Sequence, residues 1–103
     1  MNVTEYSRFR RFALQKKIAI IARDKQNEAF RIAAGLTILD DLIDIFVLDR
    51  ELENDEQTAS SFNLVRTLEL NIYTNNPANK QMHYISTDEL ALKLLDYDLI
   101  DPC

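Results

Sequence analysis

Apolar positions follow two alternating patterns along this chain. Lys17 to Ala22 and Ile43 to Leu48 are short β-branched runs without regular polar interruption. Such runs suit strands buried on both faces, as in a parallel sheet. Between them the period lengthens. Ala29, Ile32, Ala33, Leu36 and Leu39 or Asp40 trace one face of a helix predicted over Asn27–Asp41, and Phe30, Ala34 and Ile38 widen that face. Gly35 costs about 1 kcal/mol of helix propensity relative to alanine. Beside Ala33 and Ala34, it predicts a position of close approach to a sheet. Strand, helix and strand in this order form a βαβ unit with parallel strands and a right-handed connection.

The second half continues the alternation. Glu51 to Gln57 is acidic and polar and reads as a loop. Phe62, Val65, Leu68 and Leu64 mark a helix over Ala59–Leu68, and Leu70 to Thr74 reads as a third strand. Asn75-Asn76-Pro77-Ala78-Asn79 is rich in turn residues, and Pro77 keeps Asn76 out of helical geometry. Met82 to Ile85 reads as a fourth strand. Ser86-Thr87-Asp88-Glu89 matches the capping box, with Leu90, Ala91, Leu94 and Leu95 as the buried stripe of a third helix. Leu99 and Ile100 add a last short strand. The order β-α-β-α-β-β-α-β predicts an α/β fold: a small, mainly parallel sheet of four to five strands with helices on both faces. Residues 16–103 form the single expected domain. Residues 1–15, where Tyr6, Phe9, Phe12 and Ala13 recur at spacings of three and four, read as an N-terminal arm or short helix.

Composition narrows the function classes. The 103 residues are 47% hydrophobic and 28% charged, which suits one globular core. A chain of this size buries only about two-thirds of its unfolded surface, so association is a natural way to bury more. The net charge of −5 argues against nucleic acid as the main partner, because phosphate binding needs a concentrated basic face. The basic cluster Arg8, Arg10, Arg11, Lys16 and Lys17, with Tyr6, Phe9 and Phe12, is read as a solvated or interface-packing segment rather than an RNA-contacting arm. Ile18 to Ala22 is far short of the roughly 20 apolar residues that span a membrane. It is also too short for a signal peptide, so a cytoplasmic location is expected. Cys103 is the single cysteine, which leaves no intramolecular disulfide, no paired redox motif and no cysteine-based zinc site.

Candidate chemistry is sparse. In open parallel sheets, ligands gather outside the carboxyl ends of the strands. Arg23, Asp24, Asp49, Thr74, Asn75, Asn76 and Ser86 fall there and form a candidate strand-end cleft. Asp24 and Asp49 are the weak catalytic candidates, as an acid and base pair or as ligands of a metal-assisted hydrolase. Polar residues stand at strand ends for structural reasons too, and no metal site is assigned. No glycine follows the first strand, so a phosphate-cradling loop is excluded and no cofactor is expected. A receiver domain would need an aspartate where Thr74-Asn75-Asn76 stands. His83, the only histidine, is read as a packed or surface residue. Asp40, Asp41 and Asp44 are read as a solvated junction. Cys103 is the third catalytic candidate, because an exposed thiol can carry sulfur.

These segments resemble the DsrE/DsrF-like sulfur-relay superfamily. The resemblance is carried by Lys17-Ile18-Ala19-Ile20-Ile21 leading into Glu28-Ala29-Phe30-Arg31-Ile32-Ala33-Ala34-Gly35-Leu36, then Ile43 to Asp49, then Ile85 to Asp98 with its closing Tyr97-Asp98. It covers roughly residues 17–102. It implies flavodoxin-like α/β layers and assembly into trimers or hexamers. Active members carry a persulfide-forming cysteine in a loop near the third strand; Thr74-Asn75-Asn76-Pro77 has none. The chain is therefore similar to a non-catalytic member. The expected role is that of a subunit or binding module that acts through homo-oligomerisation or a protein partner. A sulfur carrier using Cys103 is the alternative.

Overall fold

The computed structural model describes residues 16–39 and 41–103. The arm predicted over residues 1–15 lies outside them, as does Asp40. The elements are β1 (Lys17–Ala22), α1 (Gln26–Leu36), a single 3₁₀ turn (Thr37–Leu39), β2 (Leu42–Val47), α2 (Glu56–Thr67), β3 (Asn71–Thr74), β4 (His83–Tyr84), α3 (Thr87–Leu94) and β5 (Leu99–Asp101). The five strands form one sheet in the order β4-β3-β2-β1-β5, and every pairing is parallel. The predicted α/β class and element order hold.

Alternation along the strands divides the core into two layers. Ile18, Ile20, Ile43, Ile45 and Ile72 point to the face covered by α1 and α2, where Ala29, Phe30, Ala33, Phe62 and Val65 meet them. Phe30 and Phe62 pack ring to ring at 5.6 Å and join the two helices. Ala19, Ile21, Phe46 and Leu48 point to the other face, covered by α3 through Leu90. Tyr97 and Tyr73 flank Phe46 there, at 5.6 and 5.2 Å between ring centroids. Both faces of the central strands are buried, which explains their unbroken apolar runs.

Local chemistry sets the helix ends. Asp55 caps α2: the Thr58 N–H and hydroxyl both donate to its carboxylate, at 2.8 and 2.9 Å, and hold its carboxyl below the usual range. Helix α2 closes with Glu69 in the left-handed region at φ 60°, while Leu70 N–H donates to Val65 O and Glu69 N–H to Arg66 O. That pair of bonds is a Schellman closure. Half of the predicted capping box forms at α3: Glu89 N–H donates to Ser86 Oγ, while the Glu89 carboxylate accepts from the Ser86 hydroxyl instead of its backbone N–H, both at 3.1 Å.

Several expectations are corrected. The first helix stops at Leu36 instead of Asp41. The Thr37 hydroxyl donates to Ala34 O at 2.6 Å, and the chain tightens into the 3₁₀ turn. Ile38 is consequently 83% exposed rather than part of the buried face. Ile32 and Leu64 are also exposed, because the sheet beneath each helix accepts only a narrow stripe. Gly35 faces solvent, and a Cβ built there meets nothing within 4 Å, so it is not a site of close approach. On α3 the buried stripe reduces to Leu90 with Leu94 partly covered, and Leu95 is 79% exposed. Strand β4 is only two residues long.

Candidate functional site

All strands point the same way, so the loops after β1, β2, β3 and β4 and the chain end after β5 meet at one end of the sheet. The predicted strand-end residues lie at that end, and all but Ser86 are paired or hydrogen-bonded within it. Arg23 pairs with Asp49 at 3.1 Å and Arg50 with Asp24 at 2.8 Å, so the ends of β1 and β2 are cross-linked twice. Asp49 has a left-handed backbone, φ 69°, which aspartate tolerates better than most residues. Its N–H donates to Asn75 Oδ1 at 2.8 Å, and Asn75 Nδ2 donates back to its carboxylate at 3.2 Å. The ion pairs are exposed, and each contributes at most about 1 kcal/mol. Both candidate aspartates are thus paired with arginines at this end of the sheet.

Behind this surface lie two buried amides that sequence reasoning did not single out. Gln26 donates to Arg23 O at 3.3 Å and to Glu51 O at 3.0 Å, and it accepts from Glu53 N–H at 2.8 Å. Asn79 donates to Arg50 O at 2.9 Å and to Thr74 Oγ1 at 3.0 Å, and it accepts from Leu52 N–H at 2.8 Å. Together they staple the loop from Arg50 to Glu53 onto the sheet. Thr74 is buried beneath them; its hydroxyl donates to Val47 O at 2.8 Å and accepts from Asn76 N–H at 3.1 Å. Among the described residues no buried side-chain nitrogen or oxygen lacks a partner. Thr74, Asn75 and Asn76 therefore hold the loop in place, and Ser86 is the N-cap of α3.

Cys103 also reaches this end. Strand β5 runs parallel to β1, and two residues later the Cys103 Sγ stands 4.0 Å from Lys25 O. The thiol packs partly against the α1 side of the core. Burial pushes its pKa up, the Asp101 and Glu28 carboxylates add to the rise, and Lys25 opposes it. Less thiolate is therefore present near neutral pH than for a free cysteine. His83 is exposed and meets the Tyr73 ring edge-on at 5.4 Å.

A second polar cluster lies toward the opposite end of the sheet, on the α3 face. Asp44, read from the sequence as part of a solvated junction, is buried. It accepts from the Tyr97 hydroxyl and from Asn71 Nδ2, the latter at 3.1 Å. The correction has a simple cause: Asp44 alternates with Ile43 and Ile45, so it points to the same face as Ala19 and Phe46, under the Tyr97 ring. Burial and then the Asp44 carboxylate push the Tyr97 pKa far up. Lys17 lies over the Tyr97 ring at 4.8 Å and Lys93 over Tyr73 at 4.6 Å. An aspartate interrupting an otherwise buried strand was the available signal. Of the predicted junction, Asp41 accepts from Lys16 N–H at 3.1 Å.

An open groove of about 650 Å³ runs between the first turns of α1 and α2, lined by Asn27, Arg31, Glu56, Gln57, Ser60 and Leu64. Among the described residues no group of His, Cys, Asp and Glu is placed to hold a metal ion, and no helix is long and apolar enough to cross a membrane. Comparison with family models, with curated proteins and with solved structures finds no match.

Proposed function

We propose that this chain is a non-catalytic α/β subunit or binding module, resembling the DsrE-like proteins that lack the loop cysteine, and that it acts by associating with further copies or with a partner protein. The carrying observation is the uncovered flank at β5. This strand sits at the sheet edge, and its two apolar residues point to opposite faces: Ile100 with Ala19, Leu99 with Ile18. They are 48% and 50% exposed, and Leu92 and Leu95 on and just after α3 are 70% and 79% exposed. Parallel sheets ordinarily have both faces covered. The strand-end polar residues, in contrast, are spent on one another.

Sedimentation velocity over a concentration series tests the reading. The wild-type chain is expected to associate, and the Leu95→Asp/Ile100→Asp variant to remain monomeric. Monomers in both cases, with no binding partner lost by the variant, remove it.

One observation favours a second reading, a sulfur carrier. Cys103 does lie at the carboxyl end of the sheet, where such a thiol would have to be. Its raised pKa weighs against it. A persulfide donor followed by intact mass measurement separates the two, because a sulfur adduct lost in Cys103→Ser supports the carrier.

A further inference from the structure

The chain enters the folded domain at one defined point. Lys16 N–H donates to Asp41 Oδ1 at 3.1 Å, and Leu42 N–H donates to Lys16 O at 2.9 Å. On the other side of β1, Lys17 N–H donates to Asp98 Oδ2 at 2.8 Å and Asp98 N–H to Lys17 O at 2.7 Å. Lys16 thus stands at the amino-terminal end of the sheet, between the starts of β2 and β5. Four large aliphatic side chains around this point are half exposed or more: Ile38, Leu42, Leu95 and Leu99. Leu42 bonds Lys16 directly, and Leu99 follows Asp98 and pairs with Ile18. Ile38 and Leu95 lie three residues before Asp41 and Asp98 respectively. Leu42 points to the α3 face and Leu99 to the α1 and α2 face, because their β1 neighbours Lys17 and Ile18 alternate. An apolar rim therefore brackets the exit on both faces.

This end is also negative. Each helix returns the chain to the start of the next strand, so the C-termini of α1, α2 and α3, with their partial negative charge, lie here. Helix α1 has no basic residue in its last turn to offset that charge. The Asp41 and Asp98 carboxylates stand beside the exit itself. The segment tethered at this point has the matching character. Residues 1–15 hold three basic residues, Arg8, Arg10 and Arg11, against one acidic residue, Glu5, a net charge of +2. Tyr6, Phe9 and Phe12 supply the apolar side at spacings of three. Fifteen residues reach about 22 Å even as a helix, and five strands span about 19 Å, so the segment can cross the whole end. A tether this short keeps its local concentration on the order of millimolar.

We infer that residues 1–15 fold back over the amino-terminal end of their own sheet, seat Tyr6, Phe9 and Phe12 against the exposed aliphatic rim, and occlude Leu95 and Leu99. The docking stands by itself. Its consequence, that the segment must leave before a partner reaches those two residues, rests on the association proposed above.

Fluorescence and sedimentation velocity on the full chain test both. The chain has no tryptophan, so Phe9→Trp places a single reporter in the segment. Its emission is expected to be blue-shifted relative to an exposed indole, and equally so on dilution. Adding Ile38→Lys/Leu42→Lys should return it to the exposed value, with far-UV circular dichroism to check that this variant folds. Arg8→Glu/Arg10→Glu/Arg11→Glu is a second route to release and leaves the folded domain untouched. Either release should tighten association roughly fivefold or more, since Leu95, Leu99 and Ile100 are intact in both. An exposed emission in the parent, a blue shift that fades on dilution, or one that survives both releases overturns the docking. Released segments with unchanged association overturn the occlusion. A docked reporter on a chain that stays monomeric, released or not, removes the association proposed above and leaves the docking in place.

Discussion

Replacing Tyr97 by phenylalanine isolates the energetic role of the buried Asp44. The ring stays, so its contacts with Phe46 and the cation over its face are retained. What is lost is the hydroxyl that donates to the Asp44 carboxylate. Hydrogen bonds to charged groups contribute about 1.5–3 kcal/mol, and a buried acceptor left short of a donor is at the upper end. Asn71 Nδ2 remains at 3.1 Å and limits the damage, so the expected loss is about 2 kcal/mol. For a domain of this size that lowers the melting temperature by roughly 8–16 °C. Urea denaturation followed by far-UV circular dichroism should show a lower midpoint at an unchanged slope. Replacing both partners with apolar groups, Asp44→Val/Tyr97→Phe, should cost less than the sum of the two single changes. The pH dependence carries a sign. The folded chain holds the Tyr97 proton more tightly than the unfolded chain, whose tyrosines titrate at about 10. Stability from this bond is therefore complete below pH ~10 and declines above it, and Tyr97→Phe should flatten that decline. A loss under about 0.5 kcal/mol, the range of ordinary surface changes, would refute the reasoning.

Three further outcomes follow from particular backbone and side-chain positions. Gly35→Ala should stabilise the chain by about 0.5–1 kcal/mol in the same denaturation assay, since the helical site is open to solvent and only propensity changes. Glu69→Gly should raise stability by roughly 0.5 kcal/mol, because relief of a left-handed non-glycine residue, about 1–2 kcal/mol, exceeds the entropic cost of glycine. Cys103 should react with iodoacetamide more slowly at neutral pH than free cysteine does, with its rate still rising above pH 9; a rate equal to that of the free amino acid would contradict its raised pKa.

The division between sequence and tertiary structure is clearest in the helices and at Asp44. Element order, the parallel sheet and the N-cap at Ser86 were legible because each rests on short-range information: unbroken β-branched runs, a 3.6-residue period and a four-residue capping pattern. Residues 23, 24, 49 and 74 to 76 were also correctly brought to one end, since parallel strands put all their carboxyl ends together. Their partners were not legible. Hydrogen bonds between the Gln26 and Asn79 amides and the loop of residues 50–53 span 25 to 29 positions, and nothing local distinguishes an amide that staples a loop from one that is solvated. Asp44 and Tyr97 lie 53 positions apart and meet only because β5 returns to the far side of β1. How much of each apolar stripe is buried was likewise outside local reach. Periodicity marks every residue able to face a core, but the width of the sheet beneath decides which of them are covered. That is why Ile32, Leu64 and Leu95 stand exposed, while Ile38 is lost to the 3₁₀ turn and Leu99 and Ile100 lie on the edge strand.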